Sequence, residues 1–265
     1  MIENGFVILD KPQGMTSFEA CDACREKLGA EKAGHAGTLD PMVTGVLIIA
    51  LNKATKLMPL FDSLDKTYEG KAHLHQDISL EELKKTIRDK FIGKIVQLPP
   101  RKSRVARVKR EREIYEFKIL KKKDKDFSFR VSCQKGTYIR KLIHDLGQEL
   151  HGSHMTQLRR VKQGPFAVSK AITLDKLSSK DIIEAEKIVP KVSAIIYISK
   201  EASEKLKQGK FLTAIDILKI KGKFDKDKVL AAFCDSQVIA LAKVFFDSKD
   251  IKRQKGYVLK PERVL

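Results

Sequence analysis

The chain has no tryptophan, only four cysteines, and no apolar run longer than Val46 to Leu51. Six apolar residues cannot cross a bilayer, which takes about 20 in a helix, so a membrane span is not expected. The opening stretch Met1 to Asp10 lacks a basic region, a long apolar core and a small-residue cleavage site. A secretory leader is therefore not expected either. Cys21, Cys24, Cys133 and Cys234 are too few and too scattered for a disulfide scaffold, which fits a reducing cytoplasm. No Walker-A loop, dinucleotide fingerprint or Gly-x-Ser-x-Gly elbow is present, so nothing points to nucleotide or hydrolase chemistry of those kinds. Acidic residues are also short: 34 Asp+Glu face 53 Lys+Arg, a formal charge of +19. Such an imbalance repels itself unless a polyanion is at hand, and nucleic acid is the usual one.

Metal ligation finds little support. Cys21-x-x-Cys24 has no second cysteine pair, and both residues share a helical face with Phe18 and Leu28, so buried thiols are the expectation. His73-x-His75 points to one side of a strand, and His151-x-x-His154 could share a helix turn. Neither assembles a closed ligand set; these histidines are expected to be structural or to contact RNA.

With 265 residues the chain can hold one large domain and a smaller one. Gly5 to Leu9 reads as a strand. Thr16 and Glu19 have capping-box spacing, and Gly29 ends the helix they open. Gly34 to Pro41 reads as a glycine-bearing loop, and Val43 to Leu51 as a strand buried on both faces. Tyr68 to Leu74 alternates as a strand. Ser79 and Glu82 open a second helix, with Leu80, Leu83, Ile87 and Phe91 on one face and Gly93 as its stop. Tyr115 to Ile119 and Phe127 to Cys133 read as a hairpin around the charged turn Lys121 to Asp126. Thr137 is the expected cap of a helix with Ile139, Leu142, Ile143 and Leu146 on one face. Between Ser178 and Pro190 the character changes. The expected division is 1–185 and 186–265, the second part being β-rich with one helix over Ala202 to Leu206. The expected class is α+β: a mixed, mainly antiparallel sheet flanked by helices, plus a small β-barrel.

The segment Gly34-His35-Ala36-Gly37-Thr38-Leu39-Asp40-Pro41 is the most informative. Two glycines and Asp-Pro make a tight loop ahead of a buried strand, and Pro41 holds Asp40 extended. On spacing alone a plain turn with a hydrogen-bonding Asp explains it. The segment nevertheless resembles the active-site motif of the TruB/dyskerin family of pseudouridine synthases. Four more blocks resemble that family in order. They are Leu9 to Ser17, Lys66-Thr67-Tyr68, Gly136-Thr137-Tyr138-Ile139-Arg140, and Leu158-Arg159-Arg160 followed by Gly164-Pro165-Phe166.

This resemblance, over about residues 5 to 177, implies a reaction that needs no cofactor. The uracil leaves ribose at nitrogen, turns, and rejoins through carbon. By resemblance Asp40 is the essential carboxylate, a nucleophile or base. A carboxylate partly shut from water needs a fixed cation, and Arg140 is the one the resemblance supplies. Tyr68 is expected to stack on the flipped base, with Tyr138 and Leu158 as pocket walls, His35 filling the vacated space, and Lys11 with Pro12 as buttress. Read without the family, Arg140 is a phosphate ligand or surface ion pair, and Tyr68 is core.

Arg101, Lys102, Arg104, Arg107, Lys109, Arg110 and Arg112 put seven cations in twelve residues, an expected grip on RNA phosphates and a mobile arm. Arg159 and Arg160 join them as expected RNA contacts. Three features resemble the guided, archaeal dyskerin-type branch: His73-Leu74-His75, Pro99-Pro100 leading into the basic run, and Ser153-His154-Met155. That branch implies an H/ACA guide RNA, a substrate RNA, small scaffold proteins and a kink-turn-binding ribosomal-type protein as partners. The stand-alone tRNA pseudouridine-55 synthase is the alternative, and a non-catalytic RNA scaffold the third. From about Pro190 the chain resembles a PUA domain, with a poor glycine-rich centre. Gln76 stands where guided relatives tend to have glycine. With the start just ahead of the first motif, the N-terminal extension of relatives is expected to be lacking, and with no lysine-rich tail an archaeal type is expected.

Overall fold

The computed structural model describes residues 4–99 and 106–265. Strand β1 (Gly5–Lys11) leads into helix α1 (Ser17–Leu28). Then come β2 (Ala33–Ala36), β3 (Thr44–Leu51), the short helix α2 (Pro59–Asp62) and β4 (Lys66–Leu74). Helix α3 (Leu80–Lys90), β5 (Gly93–Gln97), β6 (Arg110–Lys123) and β7 (Asp126–Cys133) follow. Helix α4 (Ile139–Glu149) and β8 (Ser153–Gln163) complete the main elements. One large sheet runs from Ile172–Thr173 through β1, β3, β8, β4, β7 and β6 to β5, with β2 added beside β3. Most neighbours are antiparallel, but β3 and β8 run parallel and pair only at Thr44↔Arg159 and Gly45↔Arg160.

The class is α+β, as the sequence suggests. Alternation explains why both faces of β1 and β3 are dry, because successive side chains point to opposite faces. Val7, Leu9, Leu47, Ile49 and Leu51 join a core with Cys21, Cys24, Leu28, Ile87, Leu142 and Leu146 from α1, α3 and α4. Phe6, Ile8, Val46, Ile48 and Ala50 face a second core with Leu57, Phe61 and Ile188. That second core also takes in Ile195, Phe233 and Leu241, so it joins the large sheet to the C-terminal part.

The C-terminal part is a six-stranded sheet in the order 212–213, 257–264, 237–244, 229–234, 195–198, 217–221. It carries the helix Lys200–Lys207 and a core of its own. No helix among the described residues is long and apolar enough to cross a membrane.

Local signals hold in several places. Thr16 and Glu19 form a reciprocal capping box, and Gly29 closes α1 in the left-handed conformation that glycine favours. Ser79 accepts from the Glu82 amide at the start of α3. Elsewhere the expectations need correction. Phe18 is 75% exposed; the buried face of α1 is Ser17, Ala20, Cys21, Cys24 and Leu28. The expected loop over 34–41 begins as strand β2, because its backbone pairs with β3. Helix α4 is capped at Tyr138 without a side-chain bond, while the Thr137 hydroxyl donates back to Gln134 O at 2.8 Å. The charged turn shrinks to two residues, with Asp124 in the left-handed region. His151 lies in the left-handed turn after α4 and His154 on β8, so they share no helix turn.

Candidate active site

Asp40 lies in the loop between β2 and β3, ahead of the point where β3 meets β8. Arg140, in the first turn of α4, places Nη2 2.8 Å from Asp40 Oδ2. The same nitrogen lies 3.0 Å from Met42 Sδ. The two groups are separated by a hundred residues and meet because the loop before β3 and the start of α4 converge.

The Asp40 loop is tied down on several sides. Ser17 Oγ donates to Leu39 O at 3.0 Å and accepts from Leu39 N at 2.8 Å. The Gly14 amide donates to Pro41 O at 2.8 Å. Lys11, with no exposed surface, donates to Pro12 O, Met15 O and Pro41 O at 2.8, 2.6 and 3.5 Å. Burial lowers its pKa, the Glu19 carboxylate working against this. Lys11 is thus a buried strut joining the opening motif to the Asp40 loop.

Arg160 is the third anchor. It is 1% exposed and donates through Nε to Val46 O at 2.7 Å and through Nη2 to Gly37 O at 2.8 Å. It sits opposite Gly45 on one side and Tyr68 on the other. A Cβ on Gly45 would lie 2.2 Å from Arg160 O, and Gly45 has φ +106°. Only glycine fits this crossing. Burial raises the Tyr68 pKa, against the neighbouring Arg160 guanidinium. Arg160 therefore cannot be the phosphate contact expected from sequence, since its donors face carbonyls inside the protein. Arg159, with 40% of its side chain exposed, binds the Asp10 carboxylate through Nη1 and Nη2 at 3.0 and 2.6 Å.

Tyr138 is held at its backbone. Its amide donates to Gln97 Oε1 at 3.0 Å, and Gln97 Nε2 donates to its carbonyl at 3.2 Å. Gln97 is buried at the end of β5. Leu158 is buried on β8 opposite Gly70. His35 lies half-buried on β2 opposite Ile49.

The Asp40 side chain is 54% exposed and that of Arg140 53%. The expectation of a carboxylate partly shut from water is not met in the free chain: the pair stands open at the surface. Two cavities among the described residues lie elsewhere. One, of about 370 Å³, is lined by Asp65, Lys66, Thr67, Tyr115, Ser132 and Lys162, among others. The other borders the helix Lys200–Lys207.

The expected basic arm divides. Arg101, Lys102 and Arg104 lie outside the described residues. Arg107 and Lys109 are exposed. Arg110 and Arg112 belong to strand β6, paired with Gln97 and Ile95. Arg112 also donates to Gly136 O at 3.2 Å, linking this strand to the turn before α4. Ser17, Gln97 and Gly45 were missed by sequence reasoning; their partners lie far along the chain, and only Gly45 carried a local signal.

No group of three His, Cys, Asp or Glu side chains among the described residues is arranged to hold a metal ion. His75 and His154 share a 3.1 Å contact instead, and His73 Nδ1 is 2.8 Å from Asp126 Oδ1.

The chain is similar to known proteins over nearly its whole length. Residues 25–139 match the model described as TruB family pseudouridylate synthase (N terminal domain), and 140–197 the tRNA pseudouridylate synthase B C-terminal domain. A probable tRNA pseudouridine synthase B from Sulfurisphaera tokodaii is 38% identical, over 100% of this chain and 83% of that protein. One from Methanocaldococcus jannaschii is 37% identical, with the same coverage. A crystal structure of a Cbf5-Nop10-Gar1 complex is similar with a TM-score of 0.90 and 34% identity, over 99% of this chain and 85% of that one. The structure of an H/ACA RNP bound to a substrate RNA containing 2'-deoxyuridine is similar at 0.86 and 32%, over the same shares.

Proposed function

The chain belongs to the TruB family of pseudouridine synthases, RNA-modifying isomerases, and from that premise we propose that Asp40 carries the chemistry and that an H/ACA guide RNA selects the uridine. The observation that carries the first part is the Asp40–Arg140 contact at 2.8 Å. The guanidinium offers the carboxylate a fixed, hydrogen-bonding positive partner when the target nucleotide covers it and removes water.

Isomerisation breaks N1–C1′ and forms C5–C1′. A proton leaves C5 and one is taken up at N1, so no oxidant or energy source enters. The Asp40 carboxylate attacks as nucleophile or accepts a proton as base. Tyr68, held in its row by Arg160, lies under the base, with Leu158 and Tyr138 as walls and His35 in the vacated stack. Since Asp40 is open to solvent in the free chain, the RNA itself must close the site, at the cost of unstacking one nucleotide.

Guide dependence is supported by the likeness, over nearly the whole chain, to proteins solved in H/ACA assemblies. On this reading the partners are guide and substrate RNA, small proteins like the Nop10 and Gar1 of that complex, and a kink-turn-binding protein. The basic run 101–112 meets RNA phosphates through the cations that remain free, Arg107 and Lys109 among them. Residues 1–185 form the catalytic domain. Residues 186–265 form a PUA-like domain that holds RNA. Four buried free thiols suit the cytoplasm. The curated relatives' names favour a second reading, a stand-alone tRNA enzyme.

Reconstitution decides between them. The purified chain is given bare tRNA, or guide RNA with partner proteins and a matched substrate, and pseudouridine is read out. Guided modification without activity on bare tRNA is the expected result. Full activity on bare tRNA alone overturns guide dependence.

A further inference from the structure

Phe18 is 75% exposed in the first turn of α1, while the apolar residues Ala20, Cys21, Cys24 and Leu28 of that helix are buried. A single exposed apolar side chain is ordinary. The place of this one is not. Its chain neighbour Ser17 makes two hydrogen bonds with Leu39, the neighbour of Asp40. The Gly14 amide and the Lys11 ammonium bind Pro41 O on the other side of the carboxylate. Consecutive Cα atoms are about 3.8 Å apart, so the Phe18 backbone stands next to the residue that anchors the Asp40 loop. Met42, 40% exposed and touching Arg140, is a second exposed apolar side chain on the Asp40 loop.

We propose that Phe18 is a positioning residue that stacks on the nucleobase next to the target uridine and holds the RNA strand while that uridine is flipped into the site. A flipped base leaves its neighbour with one face unstacked, and an exposed aromatic ring offers a replacement face without regard to sequence. The charge of +19 brings the strand to the protein, and the ring replaces the lost stacking. Nothing in the fold requires a large apolar residue here, because the buried stripe of α1 is complete without it.

This inference rests on the reading of Asp40 as the reaction centre, and the test separates the two. The chain has no tryptophan, so Phe18→Trp introduces a single indole at the proposed contact. With the RNA substrate that supports turnover in reconstitution, the expected result is fluorescence quenching on RNA binding, kept when Asp40→Asn is added to stop the chemistry. Phe18→Ala and Phe18→Leu should both lose roughly five- to hundredfold in kcat/KM, the range that loss of one base–aromatic stack gives. Most of the loss should fall on KM, Phe18→Tyr should restore activity, and thermal unfolding of all variants should match that of the natural chain. Absence of quenching at saturating RNA overturns the proposal. So does quenching by a partner protein without RNA, or a Leu variant as active as the natural chain. Normal turnover by Asp40→Asn alone would instead remove the reaction centre from Asp40.

Discussion

Ser17→Ala removes one oxygen from the interior and leaves the side-chain volume nearly unchanged. That oxygen both donates to Leu39 O (3.0 Å) and accepts from Leu39 N (2.8 Å), and both residues are buried. Two backbone groups would be left unpaired, each costing about 1–3 kcal/mol. The full cost is therefore roughly 2–6 kcal/mol, unless the loop peels away and lets water in. Peeling moves Asp40, the next residue, and a displacement of about 1 Å costs about a hundredfold in rate. The expected outcome is a ten- to hundredfold fall in kcat with KM little changed, together with faster hydrogen exchange at the Leu39 amide. Single-turnover kinetics and exchange mass spectrometry read the two effects on one sample. If the Leu39 amide exchanges faster while kcat stays within twofold, loop anchoring is not what positions the carboxylate, and the reasoning fails.

Gly45→Ala would drive a Cβ to 2.2 Å from Arg160 O at a φ of +106°, so a loss of about 2–5 kcal/mol is expected in urea unfolding; a Tm unchanged within two degrees would contradict the close approach of β3 and β8. Burial lowers the Lys66 pKa to about 8 from the usual 10.5, the nearby Arg160 adding to this. The folded chain gives up this proton before the unfolded chain does, so the cost of burying the charge is complete below about pH 8 and fades between about 8 and 10.5. The stability advantage of Lys66→Met over the natural chain should accordingly shrink with rising pH across that window, and a difference independent of pH would refute the assignment. Burial pushes Cys21, Cys24 and Cys133 up to about 12; at pH 8 these thiols should react with an alkylating reagent orders of magnitude more slowly folded than unfolded, and equal rates would contradict their placement.

The sequence disclosed those elements whose signals are local. Thr16 and Glu19 are three residues apart, and their capping box can be read directly. The unbroken apolar run Val46 to Leu51 foretells burial on both faces, since an alternating pattern would leave one face polar. Hydrophobicity alone places Phe18 inside, whereas the packed stripe of α1 is Ser17, Ala20, Cys21, Cys24 and Leu28. Arg160 looked like an RNA contact because charge dominates its appearance in the motif. Its burial follows from the register with Gly45 and Tyr68, which no single segment carries. Gln97 gave no signal: its two bonds to Tyr138 join positions 41 residues apart. The meeting of Asp40 with Arg140 was foreseen through family resemblance, and the openness of that pair was not.

The central claim is tested most directly by pseudouridine formation in a single turnover by Asp40→Asn, under conditions where the variant is shown to fold and to bind RNA as the natural chain does. Asparagine keeps the shape and removes the ionised oxygen. No product above background is expected, with RNA affinity preserved. Product formed at a rate within tenfold of the natural chain would show that the carboxylate does not carry the reaction.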